Sequence, residues 1–138
     1  MMDVTINWMA ILYSVIAAMV IGAVWYGVFS EAWLKAVGKK KEDLKEGQTM
    51  GYVISTITAL VGAYILTHFI AYAGAANPES TGAMLGATTA FWGWLGFVVP
   101  YALMATAWEG RSWNLFWLNM GHQLLTLVVM GMILASMM

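Results

Sequence analysis

Cysteine is absent from this 138-residue chain, which removes disulfides, thiolate metal ligands and a cysteine nucleophile while leaving the compartment open. Charge is nearly as scarce. Only 9% of the residues are Asp, Glu, Lys or Arg, against about a quarter in soluble domains. The 6 basic and 7 acidic residues nearly cancel, so there is no electrostatic footprint for nucleic acid. No carboxylate falls inside a long apolar run: Asp3, Glu31, Glu79 and Glu109 flank them, and the embedded acid that small proton-coupled exporters use is missing. HExxH, GxSxG, a phosphate-binding glycine loop and paired acids are missing too, which leaves a hydrolase or nucleotide enzyme without a basis. No catalytic residue, metal site or cofactor is expected.

What the chain has is hydrophobic length: 62% apolar residues and a mean hydropathy of +0.75. Four stretches, at about 5–29, 50–73, 82–108 and 113–137, each exceed the roughly 20 residues needed to cross a bilayer. They predict an all-α integral membrane protein, one domain over residues 1–138, built as a four-transmembrane-helix bundle with a short interfacial helix after helix one. The first stretch is too long, and its leader too poor in Lys and Arg, for a secretory signal, so it is expected to stay in the mature protein.

Every basic residue lies either between the first two stretches (Lys35, Lys39, Lys40, Lys41, Lys45) or between the last two (Arg111), whereas the connection 74–81 has only Glu79. By the positive-inside bias the loops 30–49 and 109–112 are cytoplasmic and both termini outside, as an even number of spans also requires. In the first loop SEAWLKAVG reads as the interfacial helix, with Ser30 as cap and Gly38 as stop. KKKEDLKEG reads as a solvated linker. GAANPES is a turn on Asn77 and Pro78, with Ser80 or Thr81 capping helix three. Trp8 at one end and Trp25, Trp33, Trp108, Trp113 and Trp117 at the other suit headgroup layers. Trp92 and Trp94, two apart at mid-helix, face different ways, so at least one should pack on protein. Glu109 and Arg111 read as a local pair.

In lipid, helices associate where small residues let backbones approach. The candidate packing faces are Ser14, Ala18 and Gly22 in helix one, Ser55, Ala59 and Ala63 in helix two, Gly82, Gly86 and Ala90 in helix three, and Gly131 with Ala135 in helix four. Pro100 should kink helix three by freeing the carbonyl of Gly96.

Asn7-Trp8 opening the first helix, Trp25-Tyr26 with Phe29 and Trp33 closing it, Glu42-Asp43-Leu44, Arg111-Ser112, then Asn119-x-Gly121-His122 and Met130-Gly131 together resemble the bacterial membrane family catalogued as domain of unknown function 1761. The resemblance covers nearly the whole chain, with only general apolar character over helices two and three. It implies a four-helix, multi-pass protein of the bacterial inner membrane and brings no activity, cofactor or catalytic residue.

Polar residues are concentrated in the last helix. Asn119, His122, Gln123 and Thr126 stand at i, i+3, i+4 and i+7, on one face, and His122 lies about 14 Å in from Trp113. Tyr26, Ser55, Thr56 and Tyr101 fall at similar depth. Because unsatisfied polar groups in hydrocarbon cost several kcal/mol, this stripe should face protein or water. A haem bridging His68 and His122 is excluded within one chain, since their depths differ by roughly 13 Å. Two functions follow. The first is a structural or accessory protein of the lipid bilayer that forms homo-oligomers or docks as a subunit on a larger membrane complex. The alternative is a small-solute or proton transporter or channel with a polar path past Asn119, His122 and Gln123.

Overall fold

The computed structural model describes residues 3–138 and is all-helical, with no strand among them and four helices long and apolar enough to cross a membrane. Helix α1 spans Trp8–Val28, α2 Ser30–Val37, α3 Gln48–Ala76, α4 Gly82–Gly93, α5 Val99–Glu109 and α6 Trp113–Ser136. A single 3₁₀ turn, Lys41–Leu44, lies in the Lys-rich connection, and a π turn, Trp94–Val98, joins α4 and α5 into one span. The expected bounds hold to within a few residues, the largest shifts being a later start for α1 and a longer α3.

Asn7 caps α1 by accepting from the N–H groups of Met9 and Ala10 at 3.1 and 3.2 Å. Its amide simultaneously donates to the carbonyl of Met137 at 2.9 Å. One side chain therefore starts the first helix and ties it to the end of the last. Both chain ends lie together at one end of the bundle. The indole of Trp25 donates to the carbonyl of Leu118 at 3.1 Å, so the Lys-rich connection and Arg111 lie at the other end. Glu109 and Arg111 do pair there, at 2.6 Å.

Two expected caps are not formed. Phe29 precedes α2 and Ser30 is its first helical residue; Thr81 precedes α4 with no bond from its hydroxyl. Gly38 stops α2 in the left-handed conformation, at φ 72°, as its lack of a Cβ permits.

Packing is uneven along the bundle. On α3 no residue before Ala63 is buried, whereas Ala63, Leu66, Thr67 and Ile70 are. These meet Ala10, Ile11, Ser14 and Ala18 of α1 and Met130, Leu134 and Ala135 of α6 in a sealed half near the chain ends. The closest approach is between α4 and α6: a Cβ on Gly86 would stand 1.8 Å from the carbonyl oxygen of Gly131. Gly86, Ala90, Gly131 and Ala135 thus form the backbone-to-backbone seam that small residues allow. Gly82 does not take part. It has φ +60°, and a Cβ there would meet nothing within 4 Å, so it serves the turn into α4. Ser55 is also no packing residue; it is exposed.

Where a kink is expected, just before Pro100, the span has the π turn, in which the N–H of Val99 bonds the carbonyl of Trp94. A widened turn carries one extra residue and makes room for the pyrrolidine ring. Trp94 turns inward and donates to the carbonyl of Met120 at 3.1 Å, while Trp92 is 62% exposed. One of the two packs on protein and the other faces out.

Candidate functional site

Near the Lys-rich end α1 and α6 stay together because aromatic donors on other helices reach α6 carbonyls. Trp25 takes Leu118 and Trp94 takes Met120. The Trp25 ring lies directly over Gly121, where a Cβ would approach its Cη2 and Cζ2 atoms to 3.0 Å. Glycine at 121 thus admits the indole. Beside it, the Tyr26 hydroxyl donates to Asn119 Oδ1 at 2.8 Å, and the Tyr26 ring lies 4.8 Å from that of His122. Trp33 of α2 closes on Tyr26 edge-on at 6.1 Å, so the interfacial helix folds beneath this cluster.

His122 shares its Nε2 with the Thr126 hydroxyl at 3.3 Å, one turn along the same helix. Its Nδ1 is buried without a hydrogen-bond partner among the described residues. Gly22 sits against the ring: a Cβ there would be 3.5 Å from Nε2. Of the stripe's bonds, the one that crosses between helices is Tyr26 to Asn119.

The stripe opens on a cavity of about 560 Å³ between α1, α3 and α6, formed where the first half of α3 leaves the core. Its polar wall includes Tyr26, Tyr52, Ser55, His122, Gln123 and Thr126; its inner end is apolar, at Ala18, Leu127 and Met130. A second cavity of about 460 Å³ lies on the far side of the Tyr26–Asn119 bond, between α5 and α6. Tyr26 and Gln123 border both.

The structure therefore gathers most of the candidate residues, though not all into one place. Asn119, His122, Gln123, Thr126 and Tyr26 form one cluster, and Ser55 faces it across the first cavity. Tyr101 lines the second cavity and is 73% exposed. Thr56 stands apart, because its hydroxyl bonds the carbonyl of Tyr52 on its own helix at 2.9 Å and touches Met19 Sδ at 3.8 Å, a turn-internal solution common for threonine in apolar helices. Tyr52 was not singled out in the sequence, since an aromatic near a helix start reads as a headgroup anchor.

His68 bonds the carbonyl of Tyr64, whose ring stacks on Trp8, whereas His122 lies against Trp25 and Tyr26. Trp8 and Trp25 are about 26 Å apart along α1 at 1.5 Å per residue. His122 also sits against Gly22, about 21 Å along α1 from Trp8, so the two histidines of one chain stand at well-separated depths, too far apart for one iron. No group of three or more His, Asp or Glu side chains suited to a metal ion occurs among the described residues.

A family model described as "Protein of unknown function (DUF1761)" matches residues 9–135 of the chain. No curated protein and no solved structure matches it.

Proposed function

The chain belongs to the DUF1761 family of proteins of unknown function, and from that premise we propose that it is a non-catalytic carrier of the bacterial inner membrane, with its solute site in the cavity between α1, α3 and α6. One observation carries the reading. A stripe whose purpose was cohesion would bond from helix to helix, yet the cross-helix bonds at this end are made chiefly by tryptophans to backbone carbonyls. His122 and Gln123 are left lining open space. Polar groups are kept at mid-membrane depth only where protein, water or a solute meets them. The sealed half near the chain ends then acts as the closed side of the carrier. The Lys-rich end, cytoplasmic by its charge, is the open side.

The accessory reading has support of its own in α3, whose first half leaves Gly51, Ser55 and Thr58 uncovered and could seat a second copy or a larger complex.

Thiol reactivity separates the two, on a chain with no native cysteine to obscure it. In nanodiscs, Ser55→Cys and Gln123→Cys should react with methyl methanethiosulfonate roughly tenfold faster than Val53→Cys, which faces lipid, because thiolates form only where water reaches. Ala63→Cys, in the sealed half, should be inert. Equal, slow rates at all four positions sink the carrier reading.

A further inference from the structure

The polar wall, the charge pattern and the place of the cavity in the spans together restrict what it takes. Among the described residues no Asp, Glu, Lys or Arg lines it; every such residue lies in the N-terminal segment, in the connections or next to a helix end. A charged solute entering it would lose its hydration without gaining a counter-charge, which is prohibitive in an apolar surround.

The wall is neutral but able to hydrogen-bond. The Thr58 hydroxyl gives its proton to the carbonyl of Ser55 at 3.0 Å, while the Tyr52 and Ser55 hydroxyls and the Gln123 amide are placed to donate into the space. A carbonyl or ether oxygen is met by such donors and carries no charge that needs a counter-ion.

The cavity also lies within the membrane spans. It is lined by Gly22–Gly27 of α1 and Tyr52–Gly62 of α3, and the same two helices carry the exposed apolar Val20, Val24, Val53 and Ile57. Its flanking helices therefore present apolar side chains suited to acyl chains. At about 560 Å³ the space is within the range that encloses a small molecule, and its inner end at Ala18, Leu127 and Met130 is apolar.

We infer that the cavity binds an uncharged, lipid-soluble molecule with a compact acceptor-bearing head, drawn from the bilayer, whose oxygen is held by Gln123 and Tyr52, beside Ser55, while its tail stays among the lipids. The inference rests on the carrier reading of the same cavity and names its ligand class.

Protection of Ser55→Cys from methyl methanethiosulfonate, in phosphatidylcholine nanodiscs, tests it. The probe is 4-octylacetophenone, which has one carbonyl, no charge and no reactivity toward thiols. Its comparators are 4-octylbenzoate and 4-octylbenzyltrimethylammonium, with the same ring and tail. The ketone should slow modification about fivefold or more at saturation, as an occupied site excludes the reagent, and the two ions should leave the rate unchanged. Gln123→Leu in the same background should weaken the ketone's protection by about fivefold, the loss of one hydrogen bond. The rate without ketone reports whether that variant's cavity is intact, and Tyr52→Phe, which also loses one donor, gives an independent second reading. Acetophenone without the tail should protect more than about a hundredfold less at equal bulk concentration, because it lacks the bilayer's concentrating effect, about 0.8 kcal/mol for each CH2 of the tail.

Protection by the ions, or a reactive Ser55→Cys that the ketone fails to protect, overturns the ligand class and leaves the carrier reading standing. Equal protection by tailless acetophenone overturns entry from the bilayer. An unreactive Ser55→Cys instead removes the carrier reading itself.

Discussion

Single residues decide the sign of stability changes here, and two buried small residues illustrate opposite cases. Gly86 and Gly131 meet backbone to backbone, so a methyl at position 86 would press on the Gly131 carbonyl oxygen, which cannot rotate away as a side chain can. Gly86→Ala should cost about 3 kcal/mol, the upper end for overpacking. Ser14 is fully buried, and its hydroxyl has no hydrogen-bond partner among the described residues. Removing it takes away a desolvated polar atom and little volume, so Ser14→Ala should be neutral or stabilise by up to about 1 kcal/mol. Reversible unfolding in mixed micelles measures both, and a stabilised Gly86→Ala would contradict the seam. Small-residue spacing made Gly86, Gly131 and Ser14 legible in the sequence. The same spacing misplaced Gly82 and Ser55, because periodicity identifies a face of a helix but not how far along it the neighbouring helix stays close. The tryptophans were half legible: their depth suggested headgroup anchors, and nothing local shows that Trp25 and Trp94 reach carbonyls on α6.

Elements behave as their local chemistry dictates, except where an irregularity is non-local. The four spans followed from length and hydropathy, while Asn7 acts at its helix end through its side-chain amide and Gly38 through the lack of a Cβ. Pro100 signalled a break but not its form, since a proline can be met by a simple kink or by a widened turn, and the choice depends on what the flanking halves pack against. Here the π turn lets Gly86 and Ala90 face α6 while Ala105 and Thr106 are buried farther on. Such a turn carries one residue more than the α-helix needs. Deleting Gly96 together with Pro100→Ala should therefore close the span into continuous α-helix with both halves still facing α6. The protein should stay folded within about 2 kcal/mol of the parent, a typical range for point changes. Deleting Val128 from α6, which has no such slack, turns Gly131 by about 100° relative to Asn119 and should abolish the folded bundle. Helicity and monodispersity in detergent distinguish the two deletions; equal damage from both would show that the π turn holds no spare residue.

Across the whole molecule, charge and packing point along the same axis. The end holding all six Lys and Arg is the end where α3 leaves the core, and the end with none is sealed by the Asn7–Met137 bond and the buried cluster. Up-and-down topology was legible, because four spans and two short basic connections permit little else. The opening of one half was not, since it arises from the absence of a partner for the first turns of α3, and sequence periodicity says nothing about partners that are missing. The orientation can be inverted without touching the core, because the basic residues all sit in exposed connections while the helix faces are apolar. Changing Lys35, Lys39, Lys40, Lys41 and Lys45 to Gln removes five of the six positive charges at this end, the charges on which its proposed cytoplasmic placement rests. Asn77→Lys with Glu79→Lys then places two on the opposite end, and retention of cations by the cytoplasmic leaflet, worth about 1 kcal/mol for each near the surface, favours the reversed insertion. Single cysteines at Gly47 and Ser80, labelled in intact spheroplasts with a membrane-impermeant maleimide, read the outcome. In the parent Ser80→Cys should label and Gly47→Cys should not. In the charge-swapped chain the pattern should reverse, with the sealed half now turned inward. Labelling of Gly47→Cys in the parent would place the Lys-rich end outside and reverse the assignment of the carrier's open side.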